Sequence, residues 1–223
     1  MEQVSFTVLD LFKMGGLFMW PLLLFSIAAI AISIERAFYL LYHNLRVDDL
    51  ARQVSQYAEK RDYSGAREYL SSKTKRRMGA RVLLAILKRS NPEKGFSEHH
   101  AERAAETEAM HCIQSLENGF NFLTALGSLS PLTGFLGTVS GMIGAFKSIA
   151  EATEVNAQIV ANGIYEALIT TVFGLIIAII AMISHSIFSH IVDKFAASLE
   201  GSCSDLIAQI AWQDEAANNG VQT

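Results

Sequence analysis

The stretch SPLTGFLGTVSGMIGAFK, Ser130 to Lys147, carries no charge before its last residue, yet holds four glycines, a proline, two serines and two threonines. Its uncharged length suits a bilayer, but a helix facing lipid alone would use leucine and isoleucine. On a helix, Gly127, Ser130, Gly134, Gly137, Thr138, Gly141, Gly144 and Ala145 recur at steps of three and four. They form one small-residue stripe that includes a GxxxG pair at Gly137 and Gly141. In lipid, helices associate through close backbone approach and interhelical hydrogen bonds, so the stripe predicts a face packed on another helix. Pro131 is tolerated there because nearby Ser and Thr hydroxyls can satisfy the carbonyls it frees.

Two further uncharged runs flank this one. Gly15 to Ile34 spans 20 residues without Asp, Glu, Lys or Arg, Asn118 to Phe146 spans 29, and Ala167 to Val192 spans 26. A bilayer core takes about 20 predominantly apolar residues as helix, so three membrane spans are expected. The bland alternative is a soluble core of three uncharged helices, but soluble helices of that length normally carry a polar face. The first run lacks a basic n-region, follows Glu2, Asp10 and Lys13, and ends in SIERAFYL rather than at a small-residue cleavage site. It reads as a retained anchor.

Fifteen of the 18 Lys and Arg residues lie between Arg36 and Arg103. The positive-inside rule therefore places that segment in the cytoplasm. The expected layout is a periplasmic N-terminus (1–14), a first span (15–34), a cytoplasmic helical segment (35–118), a second span (119–146), a periplasmic loop (147–162), a third span (163–188) and a cytoplasmic C-terminal helix and tail (189–223). The fold class is all-α: three long membrane helices, N-terminus outside, that extend into the cytoplasm. Cys112 and Cys203 then both fall in cytoplasmic segments and are expected as reduced thiols. Neither their spacing nor His99–His100 matches a metal motif.

Between the spans the helical period persists. ERAFYLLYHNLRVDDLARQVSQYAEKRD, from Glu35, runs without proline or glycine and predicts that the first helix continues past the membrane surface. DYSGAREYL is a turn and new helix start capped by Asp62 or Ser64. SSKTKRR is a basic break, GARVLLAILKRS a short amphipathic helix, and NPEKGFS a stop with Ser97 as the next N-cap. From Glu98 the pattern runs unbroken into the second span. The third helix continues through HIVDKFAASLEGSCSDLIAQIAWQ, and DEAANNGVQT is expected to fray.

The third span has a matching stripe: Gly163, Ala167, Thr170 or Thr171, Gly174, Ala178 and Ala181. Near its outer end stands Glu166. An acid inside a bilayer costs about 2.5–3.5 kcal/mol on insertion scales and marks an ion pathway by default. The alternative is that the helix begins after Glu166, which then sits at the interface. Thr138 and Thr171 lie well inside their spans, and each could simply be satisfied by its own i−4 carbonyl. His185 and His190 suit interfacial packing better than a proton relay, and Trp20 suits an outer-interface anchor. P-loop, HExxH, CxxC and GxGxxG motifs do not occur in the sequence. TVSG around Ser140 is similar to the serine motif of rhomboid proteases, but those need a glycine where Thr138 stands and about twice as many spans. No enzyme is expected.

GSLSPLTGFLGTVSGMIGAF, followed across a short loop by GIYEALITTVFGLIIAI, resembles the MotA/TolQ/ExbB proton-channel family, closest to its three-helix ExbB and TolQ branch. GGLFMWPLLLFSIAAIAISIERAFYL is similar to the first helix of ExbB-type proteins. The resemblance implies five copies in a ring around the single membrane helices of an ExbD- or TolR-like partner that carries a proton-accepting aspartate. It further implies that Thr138 and Thr171 line the pore and that Glu166 lies near the pore and the subunit contacts. Gly127, Gly134, Gly137, Gly141, Gly144, Gly174 and Ala178 would serve helix packing and oligomer contacts, with Pro131, Thr170 and Lys147 as secondary positions. A TonB- or TolA-like protein would receive the motion. H⁺ would be the coupling ion, with no metal or other cofactor and no nucleic-acid partner, in a bacterial inner membrane. The family commonly has proline where this chain has Ile180, so this chain departs from the family pattern there. The ExbB-like N-terminal part favours TonB-dependent uptake; a TolQ-like envelope role and a motility stator are the alternatives within the family. A non-conducting membrane scaffold is the alternative of another class.

Overall fold

The computed structural model describes residues 12, 15–89, 96–151 and 157–220. Among the described residues the following helices succeed one another: α1 Met19–Tyr42, α2 Asp48–Glu59, α3 Tyr63–Lys73, α4 Met78–Arg89, α5 Glu98–Glu117, α6 Phe120–Glu151 and α7 Ala157–Gly220. There is no strand among the described residues. Three helical stretches, containing α1, α6 and α7, are long and apolar enough to cross a membrane. The expected fold class, an all-α protein with three membrane helices, is therefore what forms. The chain divides into two compact units: Met1–Arg36 with Gly119–Ile187, and Ala37–Asn118 with Phe188–Thr223.

The second unit has a soluble-type core. Leu50 and Val54 of α2, Leu70 of α3, Leu83 and Ile86 of α4 and Leu116 of α5 are fully buried, as are Leu199 and Ile210 of α7 within about 1%. Polar ties fix α7 in place. The Ser55 hydroxyl donates to Gln209 Oε1 at 2.8 Å, and Gln209 Nε2 returns a bond to the Ser55 carbonyl at 3.2 Å. Arg61 donates to the Gln213 carbonyl at 2.9 Å, and Asp214 accepts from the Phe96 N–H at 3.1 Å. These ties explain a departure from expectation. DEAANNG does not fray from Asp214; α7 continues through it to Gly220.

Local hydrogen bonding corrects three other expectations. The first helix stops at Tyr42, because the Asn44 side chain accepts from the Arg46 N–H at 3.0 Å while the Asn44 N–H donates to the Arg76 carbonyl at 3.0 Å. That side chain offers the backbone an alternative to the helix ladder. The helix from Glu98 is broken at Asn118–Gly119, where Gly119 takes φ +88°, a conformation that glycine alone adopts freely. At the start of α5, Ser97 holds the N-cap position without a side-chain cap bond. Of the two cap candidates for α3, Asp62 is the one used: it accepts from the Gly65 N–H and, second, from the Ser64 hydroxyl, which hold its carboxyl below the usual range. Helical residues also enter the expected 147–162 loop from both sides, to Glu151 and from Ala157. Most of the NPEKGFS stop lies outside the described residues.

Both cysteines are free and buried. Burial raises the Cys112 thiol, with Arg81 opposing and Glu108 adding to the shift, and pushes Cys203 up to about 12. Only the thiolate is nucleophilic, so at pH 8 about one Cys203 in ten thousand is reactive. The native chain is expected to leave Cys203 unmodified by iodoacetamide at pH 8, and to alkylate it only after denaturation. Native labelling as fast as that of free cysteine would contradict the burial of this helix face.

Candidate functional site

In the first unit α6 and α7 pack antiparallel through their small-residue stripes. The contacts run in opposite directions along the two helices: Gly127 meets Met182, Gly134 meets Thr170 and Thr171, Gly141 meets Ala167, and Ala145 meets Gly163. The approach is close at backbone level. A methyl placed on Gly134 would lie 2.8 Å from the Thr170 carbonyl oxygen and 3.0 Å from the Thr171 Cα. One on Gly141 would lie 3.0 Å from the Gly163 carbonyl oxygen. Gly137 accommodates the Thr170 side chain, and Gly174 sits against the Ser130 carbonyl. The stripe packs on the other membrane helix of the same chain. Gly144 does not take part, since a methyl there meets nothing within 4 Å. Ala178 is buried in this seam and Ala181 fully so.

Two threonine hydroxyls of α7 converge on one carbonyl of α6. Thr171 Oγ1 donates to the Gly134 carbonyl at 3.3 Å. Thr170 Oγ1, 1% exposed, is within reach of the same carbonyl at 3.2 Å and of the Ala167 carbonyl on its own helix at 2.8 Å. The local reading of Thr171, a bond to its own i−4 carbonyl, is not what forms; its hydroxyl crosses to the neighbouring helix. Thr138 does bond locally, to the Phe135 carbonyl at 2.7 Å, and is half-buried beside the seam. Thr170, a secondary position on sequence grounds, is the most deeply buried of the three. Ser130, next to Pro131, donates to the Leu126 carbonyl at 2.6 Å and is fully buried. Pro131 lies within α6, as expected for a membrane helix.

Glu166 is half-buried on α7, one turn before Thr170. α7 begins at Ala157, so Glu166 lies within the helix. Its carboxylate lies against Gly16, whose φ is +66°; any side chain at Gly16 would collide with Glu166 Oε1. Gly15 likewise leaves room for Met19 and lies near Ile169. Sequence reasoning passed over this pair, although two adjacent glycines just before a helix were a usable sign of close backbone approach. Lys147 is exposed and pairs with Glu151 at 3.9 Å, away from the threonines. His185 stacks edge-on against Phe120 at 5.8 Å, the packing role expected of it. There is no cluster of metal-ligating side chains among the described residues.

The outward faces of the hairpin are apolar: Leu132, Phe135 and Ile143 of α6, and Leu168, Val172 and Ile179 of α7, are all exposed. These helices therefore define a multi-pass membrane protein built on a hairpin with an apolar exterior and hydroxyls inside. Comparison with known proteins narrows the class. The profile of the MotA/TolQ/ExbB proton channel family matches residues 74–201. The chain is 34% identical over 219 residues to the ExbB-like 1 protein of Synechocystis, covering 93% of this chain and 81% of that one. It is 28% identical over 167 residues to the biopolymer transport protein ExbB of Salmonella typhimurium, covering 72% of this chain and 66% of that one. With the Tol-Pal system protein TolQ of Haemophilus influenzae it shares 45% identity over 74 residues, 33% of this chain and 32% of that one. The chain belongs to the MotA/TolQ/ExbB proton channel family and is a multi-pass protein of the inner membrane.

Proposed function

We propose that the chain is the channel-forming subunit of a motor that couples the proton motive force to work at the cell envelope, most closely an ExbB-like energiser of TonB-dependent outer-membrane transport. The observation that carries this reading is the convergence of Thr170 and Thr171 on the Gly134 carbonyl, with Glu166 one turn away. On this reading the N-terminus and the α6–α7 connection are periplasmic. Five copies surround an ExbD- or TolR-like partner helix, and a TonB- or TolA-like protein takes up the motion. The partner helix carries the aspartate, because Glu166 is the one acid within the three expected spans of this chain, too few for a complete proton path. The Thr171 bond to Gly134, at 3.3 Å, is at the long end of hydrogen-bond geometry. Exchanging it for a bond to a partner carboxylate costs about 1 kcal/mol, the scale of an interhelical bond in a membrane. Each proton that crosses releases about 2.3 kcal/mol per 100 mV, so one proton suffices to drive such an exchange.

The test is partner-dependent, energised uptake in cells carrying this chain with its single-span partner. Thr171→Ala and Thr138→Ala should each lower uptake severalfold while the complex still co-purifies, and Thr138→Ser and Thr171→Ser should restore most of it. Uptake at the unsubstituted level in both alanine variants would remove the pore role. The TolQ-like reading draws support from the 45% identity to TolQ across the shorter match. Rescue of envelope integrity, rather than of receptor-dependent uptake, in cells lacking both systems would favour it.

A further inference from the structure

The turn between α3 and α4 is densely basic, with Lys73, Lys75, Arg76 and Arg77 within five residues. It is fastened to the end of α1. The Arg76 carbonyl accepts from the Asn44 N–H at 3.0 Å, and the Arg76 guanidinium lies 5.8 Å from the centre of the Tyr42 ring. Behind this, Gly79 packs against Val47. Arg46, in the short connection after α1, adds a further exposed cation to the same neighbourhood. Arg77 is half-buried and faces Asp49 at 3.9 Å, so it contributes less to the outward charge. Asp48, the other acid of this turn of α2, accepts from the Ser198 hydroxyl at 2.9 Å. Lys73, Lys75 and Arg76 remain exposed.

This cluster lies where a membrane surface must be. From Ile34 to Tyr42 α1 advances about 12 Å, at 1.5 Å per residue. The polar layer on each side of a bilayer is about 5–8 Å thick. The apolar exterior of α1 does not end at Ile34: Phe38 is 71% exposed and Leu41 81% exposed, directly before the turn. Glu35 and Arg36 follow Ile34 directly, so the hydrocarbon ends there, and Phe38, about 6 Å further along the helix, lies in the polar layer. The exposed cations then sit within about one Debye length, 8–10 Å, of the headgroup charges. Clusters of four or more Lys and Arg directly beyond a membrane helix gain on the order of 1 kcal/mol per cation at an anionic surface.

We propose that the Lys73–Arg77 turn, with Arg46, is a binding surface for anionic phospholipid headgroups. It draws those lipids to the cytoplasmic-type end of α1 and braces the helical unit against the membrane surface. Lys73, Lys75 and Arg76 make the charge contacts to phosphate. The exposed Phe38 lies in the interfacial layer beside the headgroups, a contact that a soluble anion would not use. The inference requires only that α1 crosses a membrane and stands independently of the proton-channel reading.

The experiment uses the full chain purified in mild detergent, with phosphatidylglycerol and phosphatidylcholine added in equal amounts and bound lipid counted by native mass spectrometry. The unsubstituted chain should retain phosphatidylglycerol in clear preference. The Lys73→Gln, Lys75→Gln, Arg76→Gln triple variant should lower that preference by about tenfold or more. The charge-preserving Lys73→Arg, Lys75→Arg, Arg76→Lys variant should keep it. Raising salt from about 0.05 to 0.5 M should weaken the preference of the unsubstituted chain, a readout that needs no variant to fold. An undiminished preference in the glutamine variant, or a preference insensitive to salt, would overturn the proposal. So would displacement of the lipid by an equal concentration of inorganic phosphate, which would assign the cations to a free anion instead.

Discussion

Gly174→Ala is expected to lower the thermal midpoint of the purified chain by several degrees, and Gly174→Leu to keep α6 and α7 from closing at all. A methyl on Gly174 would stand 2.5 Å from the Ser130 carbonyl oxygen, 3.2 Å from the carbon of that carbonyl and 3.3 Å from the Gly134 Cα. All three are backbone atoms of the facing helix, so no side chain can rotate out of the way. The helices must separate by several tenths of an ångström along the seam. Alanine does gain helix propensity over glycine, about 0.5–1 kcal/mol, which offsets part of the loss. Overpacking typically costs about 1–3 kcal/mol, and separation also lengthens the Thr171 bond to Gly134, already 3.3 Å. Gly144→Ala is the internal control. It gains the same propensity and meets nothing within 4 Å, so its fold should be as stable as the parent or slightly more so. Equal midpoints for Gly174→Ala and Gly144→Ala would mean that the seam is not packed as described.

Glu166→Gln is expected to reduce partner-dependent energised transport by about tenfold or more, with the complex still assembling. The substitution keeps shape and hydrogen-bonding reach and removes only the ability to ionise. A positioned proton-transfer group commonly contributes 10²–10⁴-fold where proton movement limits the rate. Glu166 has two candidate duties, carrying charge along the path and holding the backbone at Gly16, and Gln separates them. Gly16→Ala supplies the complementary test. Its φ of +66° and the collision with Glu166 Oε1 would displace the carboxylate without altering its chemistry. Loss in both variants points to a placed, ionisable carboxylate. Full transport in Glu166→Gln with loss in Gly16→Ala would make Glu166 a packing residue.

The small-residue stripes were legible in the sequence because a helix converts a three- and four-residue step directly into a face. Gly127, Gly134, Gly137, Gly141 and Gly174 all lie on that face; Gly134, Gly141 and Gly174 meet backbone of the facing helix, Gly137 the Thr170 side chain and Gly127 that of Met182. Gly144 shares the periodicity and yet meets nothing within 4 Å among the described residues, because a stripe drawn on an ideal helix is broader than the strip a neighbouring helix can cover. Helix ends were read less well. The unbroken apolar period from Glu35 concealed the stop at Tyr42, which depends on one Asn44 side chain and on a distant carbonyl of Arg76. The break at Gly119 was overlooked because a lone glycine in a long helical pattern is compatible with either outcome until its φ is known. The tail from Asp214 looked polar and unsupported. Its order comes from partners more than a hundred residues away, Arg61 and Phe96.

What the sequence by itself determined is everything that depends on composition along one helix: three uncharged runs of membrane length, a basic segment between the first two, and two matching stripes with hydroxyls among them. Those properties are local, and the bilayer enforces them whatever the partners are, since a helix in hydrocarbon must satisfy its own backbone. Only the tertiary structure decided which stripe meets which, that Thr171 crosses to the Gly134 carbonyl while Thr138 bonds at home, and that Gly16 lies against Glu166. The reason is geometric. A hydroxyl chooses between its own helix and the next on differences of a few tenths of an ångström, and that distance is set by how closely the glycines let the two backbones approach.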